Sequence, residues 1–261
     1  MLIFSCRIVS CLICSWLGAG ILLLSPKDVF ASCSYGQSAD LPEYRVSSVV
    51  DGDSLQVAGL GSVRLLGVNA PEMQRDRKVK LSKPEPFGQQ ATQFVKRLAG
   101  QTVRLGIQGE DRYRRKLAHV WFKESGVWHS LEAELLKQGL AFQVFESPDD
   151  ELTECLRDSE FAARTKQRGV WSELDYWKNA QRGGFVIWQG RAERVSKGKK
   201  HTWVRLSEDR VVRLQNQWLV QKKYHFNEKE YEYRGWAIDR KNTKYERFAL
   251  KLRQTTAIQV Y

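Results

Sequence analysis

Cysteine is scarce beyond the N-terminus. Of five in 261 residues, only Cys33 and Cys155 lie past residue 14, which excludes a disulfide-rich scaffold and leaves one bridge or two buried thiols. Long apolar runs are scarcer still. Ile8–Leu24 is the single uncharged stretch of that length, so a bundle of membrane-spanning helices is excluded as well. Acidic residues are sparse in one part of the chain only: residues 176–261 hold 20 Lys and Arg against 8 Asp and Glu, whereas residues 32–175 hold 20 against 21. The formal net charge of +12 therefore belongs to the last third. It points to a polyanionic partner for that segment, against the plainer reading of a solvated basic surface.

Arg7 precedes the apolar run, and Val29-Phe30-Ala31 follows it as a small-residue cleavage site. Residues 1–31 thus read as a signal peptide and the mature chain as secreted or periplasmic. A retained anchor is the competing reading, and the one case in which a membrane partner is expected. In an exported chain the remaining even pair suggests a Cys33–Cys155 disulfide.

In the middle segment, Arg45–Val50, Ser54–Val57, Val63–Val68, Thr102–Ile107 and Leu117–Phe122 read as strands from their alternation and β-branched content. Helical spacing predicts three helices. The first carries Phe87, Ala91, Phe94, Val95 and Leu98, with Gly100 as a stop. A second begins after Ser130 with Leu131, Leu135 and Leu136, and a third carries Leu152, Cys155, Leu156, Ser159 and Ala163 up to Gly169. Strands, helix, strands, helix, helix is not a βαβ alternation. It predicts an α+β domain over residues 32–175: a five-stranded oligonucleotide-binding-type β-barrel with three helices. Ser172–Gly184 reads as a polar linker. Residues 176–261 then read as a small all-β domain, with a second barrel of that type as one option. Aromatics interleave with its basic residues, among them Trp188, Trp203, Trp218, Tyr224, Phe226, Tyr233 and Trp236; such rings stack bases in a basic groove or fill the core of a small barrel.

Asp51 and Asp53 flank Gly52, a spacing that puts two carboxylates on one side of a strand or makes a hairpin turn. Arg64 interrupts an apolar strand and needs a carboxylate or a phosphate as partner. Asn69-Ala70-Pro71-Glu72 adds oxygen-bearing groups at the strand end, a donor set that suits Ca2+ better than zinc or iron. Asp111-Arg112-Tyr113-Arg114-Arg115-Lys116 puts cations and a tyrosine in one loop, able to grip phosphate or simply exposed.

These motifs, followed by Leu136-Lys-Gln-Gly139-Leu-Ala141 and Glu160-x-x-Ala163 ahead of Gly169-Val-Trp171, occur in an order that resembles the staphylococcal nuclease, or thermonuclease, family over about residues 44–173. The resemblance implies a monomeric, Ca2+-dependent nuclease that hydrolyses phosphodiester bonds of DNA or RNA with low sequence specificity. It implies Asp53 as a calcium ligand with Asp51 beside the metal, Ala70 ligating through its carbonyl, and Glu72 as general base toward water. Arg64 and Arg115 match the arginines that hold the scissile phosphate; Tyr113 lies near the nucleotide, with Arg112 and Arg114 as further substrate contacts. Asn69 departs from the family pattern, which has a second aspartate ligand there, and removes one negative charge from the metal site. An alternative is therefore a nucleic-acid-binding protein that is catalytically weak or inactive. A third is a surface protein for another polyanion, such as a sulfated glycan or anionic lipid head groups.

Overall fold

The computed structural model describes residues 33, 40–73, 84–145, 152–178, 184–219, 224–240, 246–252 and 258–260. The expected signal peptide, with its apolar run, lies outside them, as does the side chain of Trp218. Among the described residues no helix is long and apolar enough to cross a membrane.

The first barrel begins as a meander of β1 (Glu43–Asp51), β2 (Ser54–Val57) and β3 (Gly61–Leu65). The expected strand Val63–Val68 is two pieces. Gly67 takes a left-handed φ of 71°, a bend that favours glycine, and β4 (Val68–Asn69) turns away to pair with β8 (Phe142–Gln143). After helix α1 (Gly88–Lys96), β5 (Thr102–Glu110) pairs antiparallel with β1 and with β6 (Lys116–Glu124), and β6 runs parallel to β3. That last pairing closes five strands into a barrel lined by Val46, Leu55, Val63, Leu65, Val103, Leu105, Ala118 and Val120, each no more than 1% exposed. An edge strand, β7 (Val127–Ser130), extends β6.

Helix α2 (Leu131–Lys137) starts where the sequence places it: the Ser130 side chain accepts the Ala133 N–H at 3.1 Å, relieving one of the orphan donors of a helix start. Helix α3 (Thr153–Thr165) buries Leu156, Ser159, Glu160 and Ala163. Gly139 and Gly169 do more than stop these helices. Both have left-handed φ, 65° and 54°, and a Cβ on Gly169 would sit 2.0 Å from the Gly139 carbonyl oxygen, so the two chain reversals cross backbone to backbone. Cys33 is disulfide-bonded to Cys155 on α3, 122 residues away.

The described part of the expected polar linker, residues 172–178, is not a linker. A 3-10 turn, Gly169–Glu173, leads into a fourth helix, α4 (Leu174–Lys178), whose Trp177 is wholly buried. Trp177, Trp171 and Phe185 surround the Phe142 ring at centroid distances of 4.8, 5.3 and 5.4 Å. This apolar cluster joins the first barrel to the C-terminal strands. A run of polar letters concealed one anchoring indole.

The remaining strands are β9 (Gly184–Gly190), β10 (Arg194–Lys197), β11 (His201–Ser207), β12 (Arg210–Gln215), β13 (Tyr231–Asp239), β14 (Phe248–Lys251) and β15 (Ile258–Val260). Their pairing repeats that of the first barrel: β10–β11 and β11–β12 antiparallel, β12–β14 parallel, β14–β13 and β13–β9 antiparallel. Only residues 191–193 separate β9 from β10, so the two act as one bent strand and the circuit closes. Trp188, Phe226 and Tyr233 are core residues here, between 0% and 6% exposed, and are not available to stack bases. Tyr224 lies partly buried on Phe226; Trp203 is partly exposed and Trp236 47% exposed.

Candidate active site

Asp51 and Asp53 lie in the hairpin turn between β1 and β2. Asp51 accepts the Asp53 N–H on Oδ1 at 3.0 Å, an Asx turn, so the carboxylates do not project from one strand face. Asp53 turns inward instead. Its Oδ2 accepts the Ala70 N–H at 2.8 Å and lies 3.1 Å from Arg64 Nη2, while Oδ1 accepts from the Ser54 hydroxyl at 3.1 Å. Gly52 permits this approach, because a Cβ there would come within 2.7 Å of the Ala70 Cβ and 2.8 Å of the Ala91 Cβ. The glycine that makes the turn also lets the turn, the Ala70 segment and α1 meet.

Arg64, 7% exposed, straddles the break between β3 and β4. Nη1 donates to the Leu65 and Val68 carbonyls, both at 2.9 Å, and Nη2 donates to the Asn69 amide oxygen at 3.3 Å. The Asn69 Nδ2 in turn donates weakly to the Ala70 carbonyl at 3.4 Å. Asp53, Arg64, Asn69 and Ala70 therefore form one connected group, with the Asn69 oxygen directed at the arginine.

Glu72 follows on the rim with its side chain exposed. Its backbone is clamped by a residue not singled out from the sequence: Glu85, 6% exposed, accepts the Glu72 N–H on Oε2 at 2.9 Å and returns its own N–H to the Glu72 carbonyl at 2.9 Å. The only signal of Glu85 was an acid set between Pro84 and Pro86 just before a helix. Although the Glu72 side chain as a whole is exposed, loss of water on the side of the carboxyl turned to the site, then the charges of Asp53, Asp51 and Glu85, push its pKa up to about 7 against the pull of Arg64. Burial, then the charge of Asp53, likewise pushes Asp51 up to about 6. The site holds more negative charge than Arg64 neutralises.

Arg115 reaches the same end of the barrel through strand pairing. Arg64 lies opposite Leu117 in the parallel β3–β6 ladder, two residues beyond Arg115. Asp111 orders this loop, accepting the Tyr113 and Arg115 N–H groups at 2.8 and 3.0 Å and pairing with Arg115 Nε at 2.8 Å. Burial would raise the Asp111 carboxyl, but these hydrogen bonds and the Arg115 charge hold it below its ordinary range. Tyr113 is 64% exposed, with the Arg112 and Arg115 guanidinium carbons 4.7 and 5.7 Å from its ring centroid. Arg114 takes a left-handed φ of 63°, and the structure shows no contact from it to Arg64 or Glu72.

Among the described residues no three His, Cys, Asp or Glu side chains are grouped to hold a metal. The neighbouring Asp51 and Asp53 carboxylates, with Asp51 raised by burial and then by the charge of Asp53, nevertheless lie beside the Ala70 carbonyl and the Asn69 amide oxygen and form the all-oxygen, charge-rich donor set that a hard divalent cation relieves.

Residues 62–173 match the staphylococcal nuclease homologue family. A thermonuclease of Staphylococcus intermedius is 35% identical over 135 residues, 49% of this chain and 75% of that protein. An uncharacterized endonuclease of Haemophilus influenzae is 30% identical over 134 residues, 49% of this chain and 66% of that protein. A probable endonuclease of Zygosaccharomyces rouxii is 31% identical over 121 residues, 44% of this chain and 42% of that protein. The family match ends at residue 173, ahead of β9.

Proposed function

This chain belongs to the staphylococcal nuclease family, whose nuclease relatives support a nuclease function for it, and we propose that it is an exported, Ca2+-dependent nuclease that cleaves DNA or RNA with little sequence preference, aided by its second barrel. The observation that carries this reading is Arg64: buried, oriented by two carbonyls, and set among carboxylates whose charge it does not balance. Asp53, Asp51 and the Ala70 carbonyl would hold the cation, with the Asn69 amide oxygen at its margin. Bound there, Ca2+ would spread the charge of the phosphate oxygens and favour ionisation of a nearby water.

Arg64 and Arg115 supply the remaining donors. A guanidinium presents paired N–H groups to two phosphate oxygens, and Arg64 is held so that little reorganisation precedes the reaction. Tyr113, Arg112 and Arg114 offer a ring and cations to the flanking nucleotide. Glu72, ionised near neutral pH, accepts the proton of the attacking water, and its pKa of about 7 suits a general base working there. The Cys33–Cys155 bond supports an oxidising compartment.

One observation favours the weaker alternative, a nucleic-acid-binding protein with little cleavage. The Asn69 oxygen is engaged by Arg64 and carries no charge. Cleavage of single-stranded DNA and RNA in Ca2+, in EDTA and with Glu72→Gln separates the two. The proposal expects cleavage in Ca2+, loss of it in EDTA and a drop of about 100-fold or more with Glu72→Gln. Cleavage unchanged by EDTA or by Glu72→Gln overturns the mechanism; tight binding without cleavage establishes the alternative.

A further inference from the structure

Among the strands of the second barrel only β13 carries acidic residues, Glu232 and Asp239. β10, β11, β12 and β14 read RVSK, HTWVRLS, RVVRLQ and FALK, and carry Arg194, Lys197, Arg205, Arg210, Arg213 and Lys251. Thr202, Val204, Val212, Leu214 and Leu250 are between 0% and 4% exposed and face the core, so alternation directs Trp203, Arg205, Arg213 and Lys251 outward. Val211 and Ala249 share the outward parity in the row of Arg205 but are each 2% exposed, so the open part of this face is the row of Trp203, Arg213 and Lys251. Register then places these groups in rows. Ser196 lies opposite Trp203, Trp203 opposite Arg213, and Arg213 opposite Lys251; in the next row Arg194 lies opposite Arg205.

Two of the cations are committed elsewhere. Arg205 Nε lies 3.4 Å from a Glu246 carboxylate oxygen, and Arg210 donates to the Lys178 carbonyl while its guanidinium carbon stands 5.9 Å from the Trp188 ring centroid. Arg194 and Lys251 are exposed, and Arg213 is partly so, its guanidinium carbon 5.9 Å from the Trp203 ring centroid. Lys197 lies opposite the inward-facing Thr202 and so has the other parity. What remains on the outer face is a partly exposed indole with Arg213 opposite it, Lys251 one strand beyond and Arg194 in the next row, on strands that carry no acid. In a barrel of this pairing order, the outer face of the second and third strands, here β11 and β12, is a surface able to carry an oligonucleotide.

We propose that the outer face of β10, β11, β12 and β14 binds single-stranded nucleic acid, with Trp203 as the platform on which one base stacks and Arg194, Arg213 and Lys251 as phosphate contacts. The inference rests on the nuclease reading for its choice of polyanion, and charge complementarity carries the rest. A flat indole set among cations selects an unpaired base with its phosphates; bases within a duplex are stacked on each other and offer Trp203 no face.

Binding is measured on the full-length chain silenced by Glu72→Gln, in EDTA, with a labelled mixed-sequence single strand, a duplex of equal length, and heparin. The single strand is expected to bind more tightly than the duplex. Trp203→Ala should weaken it about tenfold and Trp203→Phe should keep most of the affinity. Arg213→Gln and Lys251→Gln should each lower the slope of log affinity against log salt by about 0.7. Thermal melts certify that each variant folds, and the two charge variants test the face independently if Trp203→Ala does not. Unchanged affinity and unchanged salt slopes in folded variants overturn the proposal. So does a Trp203→Ala loss that is equal for heparin, duplex and single strand, which marks a general polyanion surface. Cleavage by the wild-type chain is scored separately: a chain that cleaves nothing but binds through Trp203 fails the nuclease reading and keeps this face, and the converse result does the reverse.

Discussion

The two barrels share one strand-pairing order and each buries an arginine, but the arginines have opposite company. Arg64 faces one carboxylate directly, Asp53, completes its hydrogen bonds with backbone carbonyls and an amide, and leaves Asp51 and Glu72 uncompensated. Arg234, 2% exposed on β13, donates to both Glu160 oxygens at 2.7 and 2.9 Å, to the Gln143 carbonyl at 3.3 Å and to Glu232. Arg164 Nη2 and Gln189 Nε2 complete Glu232, each at 2.9 Å. Two arginines meet two glutamates there, and the charge is balanced. Burial pushes Glu160 up despite Arg234, while the charges of Arg234 and Arg164 overcome the burial of Glu232 and hold it down at about 2. A buried cluster in balance is closed to ligands and serves structure; one left in deficit has reason to admit a cation or phosphate. Because Gln143 and Glu160 belong to the first barrel's elements and Glu232 and Arg234 to the second's, the closed cluster also fixes the barrels together.

Arg234→Met should have the largest effect on stability. It leaves Glu160 enclosed without its counter-ion, a loss of about 3–5 kcal/mol in denaturant unfolding, while cleavage per folded molecule stays near wild type. A fall in cleavage with unchanged stability would show that Arg234 belongs to the chemistry after all.

Arg64→Met should do the reverse. Cleavage falls by about 100- to 1,000-fold, and the loss of stability is smaller than for Arg234→Met, since Asp53 keeps the Ala70 N–H and faces a place open to a cation. If Ca2+ fails to recover any of that stability, the carboxylates around Arg64 are not a cation site.

The barrels should also respond to pH in opposite directions. Glu232 is held below its unfolded value of about 4.5, so its contribution is complete above that pH and is lost as pH falls through about 2, at most about 3 kcal/mol. Glu72 is raised above its unfolded value. Its contribution is complete below about 4.5 and is lost as pH rises through about 7, unless a cation restores it. Urea midpoints from pH 2 to 8, with and without Ca2+, should show a Ca2+-insensitive acid limb and a Ca2+-sensitive neutral one. An acid limb that persists in Arg234→Met would have to be assigned to other carboxylates.

The range of each interaction decides whether the sequence exposed it or hid it. Local signals held: the Ser130 cap, β2 at Ser54–Val57, and Asp51-Gly52-Asp53 as both a turn and a cluster of charge. Signals that depend on distant partners did not. Gly67 breaks the Val63–Val68 run because β8, more than seventy residues on, supplies an alternative partner. Trp177 is buried by Phe142 from the other side of the junction, which no reading of Ser172–Gly184 alone contains. Tyr233 became core and Trp203 did not through the strand parity and register that sequence does not show, Trp188 because β9 is covered on both faces, and Phe226 because a turn folds it onto Tyr224 and Tyr231. Glu85 declares its role only once it is seen holding the Glu72 backbone.

Asn69→Asp bears on the contrast with the smallest expected change. The Asn69 oxygen already lies 3.3 Å from Arg64 Nη2, so an aspartate there would give Arg64 two carboxylate partners, as Arg234 has. Two consequences separate. One added negative charge a few ångströms from a bound cation, screened as at a partly buried site, should tighten Ca2+ binding about tenfold by calorimetry. The same charge competes with substrate phosphate for Arg64, so the Kd of a single strand on the Glu72→Gln, Asn69→Asp chain should rise even as Ca2+ binds better. Tighter Ca2+ with weaker substrate binding means that the number of carboxylates on a buried arginine decides whether it serves a ligand or the fold. Unchanged Ca2+ affinity would place residue 69 outside the reach of the cation, and would leave its amide as a prop for Arg64 alone.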